Sequence, residues 1–185
     1  MPYPFSVTEL KNCLQTASFE DLAATDDAPF DPGFGSRLPK KTAYDWDALA
    51  RGSAKKCIGL TLPSCDACCP GLDGLYYFIE FKNQREQNVI ATQIRNKVFG
   101  SLLLATLTIA NHETMQGLMD KAVFVVVFPD QNYLDMIGRG LSKFAAPGSI
   151  PLWGLNKLES AGIIRKAYTV PDSAFATLPL LQQFA

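Results

Sequence analysis

Seven consecutive apolar residues, Ala122-Val-Phe-Val-Val-Val-Phe128, follow Lys121. A half-buried strand alternates apolar and polar positions. A run with no polar member fits a strand covered on both faces. Pro129-Asp130 stops it. Such a strand needs packing layers on both sides of its sheet, which points to an α/β architecture. The chain has 185 residues, enough for one α/β domain with its own core, and 48% of them are hydrophobic, as in globular chains. The whole span 1–185 reads as a single domain: an N-terminal helical and loop segment over 1–44, then a core over 45–185.

The chemistry concentrates in residues 64–84, SCDACCPGLDGLYYFIEFKNQ. Leu75 to Ile79 and Phe81 form an aromatic and β-branched run that favours a strand. Glu80 and Lys82 interrupt its end. Residues two apart share a strand face, so both charges point the same way out of an apolar strand, and unpartnered buried charge is costly. Leu72-Asp73-Gly74 is the turn, with Gly74 free to take positive φ. A three-residue loop at these positions pairs Gly71 with Leu75 and sets Asp66 opposite Glu80 on one face. Directly opposed side chains have Cβ atoms about 5 Å apart, close enough for two carboxylates to share a divalent metal. A two-residue turn at Asp73-Gly74 would instead set Ala67 opposite Glu80. The chemistry prefers the longer loop. Asp73 is the rival first acid, but at about 3.3 Å per residue its place at the turn tip is too far from Glu80 to share one ion.

Two carboxylates and a lysine across a hairpin resemble the PD-(D/E)xK nuclease superfamily, here at Asp66 and Glu80-Phe81-Lys82. Cys65 stands where the family name has proline. The resemblance implies that Asp66 and Glu80 hold Mg²⁺ or Mn²⁺, with the Phe81 carbonyl as a further oxygen ligand. It implies that Lys82 orients or deprotonates the attacking water, or neutralises the transition state. It implies a nucleic-acid substrate, with DNA the expected class although the sequence itself does not decide between DNA and RNA, and a restriction-endonuclease-like αβββαβ core: a mixed central sheet flanked by helices. Family members often place an acid on a helix before the hairpin; Glu20, Glu9 and Asp47 are the candidates, and the sequence does not choose among them. A polar residue after the hairpin often supports the site, and Gln84 and Gln93 are the candidates. The tail, Leu152 to Phe175, is similar to the close of bacterial proteins with this core. Two rivals stand beside this reading. One is a catalytically inactive nuclease-like domain that binds nucleic acid or protein. The other is an ordinary α/β interaction protein whose Glu80 and Lys82 form a surface ion pair.

The remaining chain reads as follows. Phe5 to Leu14 is a short helix, and Ser18-Phe-Glu-Asp-Leu begins a second. The Asp-, Pro- and Gly-rich segment Ala24 to Lys41 is a loop. Tyr44 to Arg51 is a short helix, and Cys57 to Leu62 a strand feeding the hairpin. Gln84 to about Thr106 is the long helix, with apolar residues at helical spacing. Tyr133 to Phe144 is helical, with Arg139 and Lys143 on one side. Leu155 to Ser160 is a turn or short helix, Ile163 to Val170 the last strand, and Pro171-Asp172 leads into a short terminal helix.

Composition narrows the function classes. The sole histidine, His112, lies in Asn-His-Glu with no partner at metal spacing, which disfavours histidine-based hydrolysis. Cys65, Cys68 and Cys69 invite a zinc reading, but structural zinc takes four ligands from spaced pairs. Strand alternation also puts Cys65 and Cys68 on opposite faces, so packing is the expected role. Five cysteines, no membrane-length apolar stretch and no leader in MPYPFSVTELK make a soluble cytoplasmic protein the expectation. Net charge is −1, divided into −4 over residues 1–50 and +3 over 51–185. A mildly basic core is compatible with nucleic acid but far from the footprint of a tight binder. Substrate is therefore expected to be held weakly or with a partner's help, and a homo-oligomer is compatible with the sequence.

Overall fold

A computed structural model describes residues 12–24, 30–54, 61–85, 88–109, 114–132 and 153–183. Among them, one six-stranded mixed sheet runs in sequential order. Its strands are β1 (Thr16–Ser18), β2 (Thr42–Asp45), β3 (Ala67–Pro70), β4 (Tyr76–Phe81), β5 (Ala122–Phe128) and β6 (Lys166–Pro171). The first four pair antiparallel; β5 lies parallel between β4 and β6. Helices α1 (Phe19–Ala23), α2 (Trp46–Ala48), α3 (Ala91–Thr108), α4 (Met115–Met119), α5 (Leu155–Ser160) and α6 (Asp172–Phe175) are the described α-helices; a π-helical turn over Leu49–Ala54 and 3-10 turns at Gly35–Arg37 and Pro179–Gln183 accompany them. The architecture is α/β, with helices on both faces of the sheet.

Every residue of β5 is buried, as the apolar run requires. Its pleat feeds two cores. Ala122, Phe124 and Val126 pack with Val98, Leu102 and Ala105 of α3, Leu118 of α4 and Leu155 and Leu158 of α5. Val123, Val125 and Val127 pack with Phe19 and Leu22 of α1, Phe34 and Phe175. Strand β4 alternates the same way: Phe78 joins the α3 side, while Tyr77, Ile79 and Phe81 join the other. Glu80 is in phase with Phe78, so the pleat aims it at α3.

The hairpin has the expected three-residue loop. Partners run from Pro70 with Tyr76 to Ala67 with Ile79. The Gly71 amide donates to the Leu75 carbonyl at 2.7 Å, and Gly74 has φ 78°. Asp73 belongs to the turn: its carboxylate accepts from the Leu75 amide at 3.1 Å and the Tyr77 hydroxyl at 2.5 Å.

Several elements differ from the expectations. Residues 16–18 and 42–45 are strands of the main sheet, so the described part of the segment before residue 45, expected to be helix and loop, contributes two strands to the same sheet. Tyr44 lies in β2, and the helix after it starts at Trp46, where the Asp45 carboxylate accepts from the Ala48 amide at 2.8 Å. The long helix starts at Ala91, not Gln84. Residues before it are committed elsewhere: the Asn83 side chain exchanges two hydrogen bonds with the Asp31 backbone, and the Gln84 carbonyl accepts from Asn132. The last strand starts at Lys166, three residues late, because Ile163 closes the end of α5 by donating to Leu158. The strand that pairs with the hairpin is β2; Thr61 to Pro63 form no strand, and residues 55–60 lie outside the described residues. So do Glu9 and most of the expected first helix, His112, and the expected helix over 133–144 with Arg139 and Lys143.

One close approach fixes how α3 meets the hairpin. A Cβ built on Gly100 would lie 1.8 Å from the Pro63 carbonyl oxygen. Next to it, the Ser101 hydroxyl accepts from the buried Cys65 amide at 2.9 Å. The segment entering β3 is thus docked on two small residues of α3. Alanine at position 100 would gain about 1 kcal/mol of helix propensity but push backbone against backbone, and overpacking costs about 1–3 kcal/mol or more. Gly100→Ala is expected to lower the urea midpoint by a net loss of about 1–2 kcal/mol. An unchanged or raised midpoint would mean that this contact is loose.

Candidate active site

The site forms where the hairpin ladder ends against α3. Beyond Ala67, the Asp66 amide still donates to the Ile79 carbonyl at 3.1 Å, and the Asp66 carbonyl accepts from the Trp46 amide. One Asp66 oxygen, Oδ2, accepts from the Phe81 amide at 2.6 Å. The other, Oδ1, faces the ammonium of Lys97 at 3.5 Å. That same ammonium lies 2.7 and 2.8 Å from the two oxygens of Glu80. Asp66 and Glu80 therefore converge on one cation, as the expected register demands. Lys82 stands 2.5 Å from Glu80 Oε1. Its amide donates to the Val127 carbonyl. In a strand the two backbone groups of one residue point the same way and successive residues alternate. The Phe81 carbonyl therefore faces the β3 edge with its amide, beside Asp66.

Burial makes this cluster unusual. Glu80 is fully buried and Asp66 is 8% exposed, while the Lys82 and Lys97 side chains retain 14% and 22%. Each buried charge in the cluster has an opposite charge beside it, which is how buried charge is tolerated. Burial first, and the Glu80 carboxylate second, raise the Asp66 pKa above the usual carboxylate range; Lys97, Lys82 and the Phe81 amide act against that rise. Burial alone would lower the Lys97 pKa, but Glu80 and then Asp66 overcome it and hold the lysine charged.

Solvent reaches Asp66 through a cleft of about 60 Å³ that Asp21, Asp45, Asp47 and Arg51 also line. The Asp47 carboxylate accepts from Ser64 at 3.1 Å and pairs with Arg51. Of the expected acids before the hairpin, Asp47 thus borders the site. Glu20 does not: on the short α1 it is exposed, with its backbone over Gly35, and its neighbour Asp21 lines the cleft instead. Gln84 is half-buried and joins the fold through its carbonyl on Asn132; Gln93 is exposed on α3. Among the described residues, neither hydrogen-bonds to the acids. A larger cavity of about 300 Å³, bordered by Thr16, Thr42, Tyr44, Cys68 and Cys69, touches none of the four charged residues.

Sequence reasoning missed Lys97. A signal was present: Lys97 falls three residues after Ile94 and four before Ser101, both buried, so it rides the apolar stripe of α3. A lysine there either snorkels to solvent or meets a buried acid.

Among the described residues, no group of three His, Cys, Asp or Glu side chains is spaced to hold a metal ion. The donors to hand are two carboxylates and a backbone carbonyl, hard oxygens of the kind Mg²⁺ and Mn²⁺ take. The two carboxylates converge on an ammonium, a stand-in cation, so this pair of donors fits such an ion. Cys65, Cys68 and Cys69 are buried free thiols. Cys65 and Cys68 fall in one core cluster rather than on opposite faces, because Cys65 precedes β3 and escapes its pleat. Among the described residues no helix is long and apolar enough to cross a membrane. No protein-family model, curated protein or solved structure matches this chain.

Proposed function

We propose that this protein is a divalent-metal-dependent nuclease that hydrolyses phosphodiester bonds, with DNA as the substrate class, built on a restriction-endonuclease-like core. The observation that carries it is the convergence of Asp66 and Glu80 on one cation at the end of a hairpin, with Lys82 on the same carboxylate. The order α1, β2, β3, β4, α3, β5 supports the αβββαβ reading, with the short α2 as an insertion. Asp66, Glu80 and the Phe81 carbonyl would hold Mg²⁺ or Mn²⁺. When bound, the ion supplies Lewis acidity toward the phosphate and makes water a better nucleophile at neutral pH. The chain's own residues do the rest. The Phe81 amide fixes the Asp66 rotamer, the α3-side core excludes water from Glu80, and Lys82 orients the attacking water and neutralises charge that develops on the phosphate.

One observation favours a second reading. Glu80 is already paired with two lysines, so the cluster is also what an inactive nuclease-like domain would retain as a structural ion-pair network. Mn²⁺ titration by calorimetry separates the two. The wild type is expected to bind Mn²⁺, and Asp66→Asn to lose at least about tenfold in affinity, since a ligand charge is removed. No detectable Mn²⁺ binding, with or without DNA, by the wild type or by a variant with Lys97 neutralised would favour the binding module.

A further inference from the structure

The Lys97 ammonium takes up the donor set that the proposed ion needs. It meets both Glu80 oxygens at 2.7 and 2.8 Å and faces Asp66 Oδ1 at 3.5 Å. Mg²⁺ binds its oxygens at about 2.1 Å. An ammonium this close to the same oxygens leaves no room for it, and like charges in a poorly solvated place repel strongly. The two cations exclude each other. Lys82 is differently placed: one residue past the end of β4, it meets Glu80 at Oε1 alone among the described residues. Lys97 also has a way out. It comes from the second turn of α3, its side chain keeps 22% exposure, and a lysine stem has four rotatable methylenes.

We propose that Lys97 is an internal placeholder for the metal, an ammonium that neutralises Asp66 and Glu80 in the metal-free protein and is displaced when a divalent ion binds. The inference rests on the metal reading given above and adds a consequence for it. Metal affinity in the wild type is set by competition with a tethered cation. The metal-free site stays closed and charge-balanced, so it keeps its geometry without an ion.

The test is Mn²⁺ titration by calorimetry, with thermal unfolding in the presence and absence of Mn²⁺. The chains compared are the wild type, Lys97→Met and Lys97→Gln. The methionine variant keeps the apolar stem. The glutamine variant keeps a donor toward Glu80 and removes the charge, and it serves if the methionine variant fails to fold. Both are expected to bind Mn²⁺ at least about tenfold more tightly than the wild type. Both should melt lower without metal and show a larger upward shift of Tm on adding Mn²⁺. Binding by the variants where the wild type shows none would be the same result in stronger form. Equal or weaker binding by folded variants, beside a wild type that does bind, would overturn the placeholder and leave the metal site standing. Binding by none of the three chains would remove the metal reading, and the placeholder with it.

Discussion

Lys82→Ala is expected to lower Mn²⁺-dependent cleavage of DNA by about 10²–10⁴-fold, the range that a positioned proton-transfer or charge-stabilising group supplies. Fold and metal affinity should survive. Glu80 loses one ammonium but keeps Lys97 on both oxygens, so no buried carboxylate is left bare. The measurement is single-turnover cleavage of labelled DNA by wild type and variant, beside far-UV circular dichroism and Mn²⁺ calorimetry on the same samples. A drop in cleavage with unchanged Mn²⁺ affinity assigns Lys82 to the chemical step. A drop that tracks lost affinity would make it a support for Glu80. Full cleavage by the variant would sink the assignment outright. The contrast with Lys97 is the useful part. Both lysines touch Glu80, yet one is expected to matter for rate and the other for metal affinity, because one sits beside the donors and the other among them.

How far the sequence led follows from the range over which each contact is made. The hairpin was legible because everything that defines it is local: a turn glycine, an aromatic run and period-two alternation. That was enough to bring Asp66 and Glu80 to one cation. The covered strand over 122–128 was legible for the same reason, since its composition alone demands two cores. Lys97 was not, because α3 meets the hairpin by tertiary packing. That packing turns on Gly100 under Pro63 and Ser101 on Cys65, residues that read along the chain only as breaks in an apolar stretch. Nor was the start of α3, where Asn83 and Gln84 had other partners. The strand β2 escaped notice because it is four residues long, and its Tyr44-Asp45 runs directly into a helix cap. Glu20 and Asp21 are adjacent on a five-residue helix, and nothing in the spacing says which faces Asp66.

Glu80→Ala is expected to cost about 3–5 kcal/mol of folding stability, the range for breaking a buried ion pair by removing one partner. That is a large fraction of the roughly 5–15 kcal/mol by which a domain is stable. The cause is not the lost carboxylate but what it leaves behind. Two ammoniums, with side chains only 14% and 22% exposed, would share the single remaining carboxylate of Asp66. A surface pair, the rival view of Glu80 and Lys82, would change stability by no more than about 1 kcal/mol. Urea unfolding monitored by circular dichroism distinguishes the two, provided the slope with denaturant is unchanged. The double variant Glu80→Ala with Lys97→Met sharpens the test. Removing the stranded ammonium should recover part of the loss, giving a coupling of about 1–3 kcal/mol between the two positions. Losses that simply add would show that Glu80 and Lys97 do not act as an electrostatic unit. The convergence on which both the metal reading and the placeholder depend would then have no energetic weight.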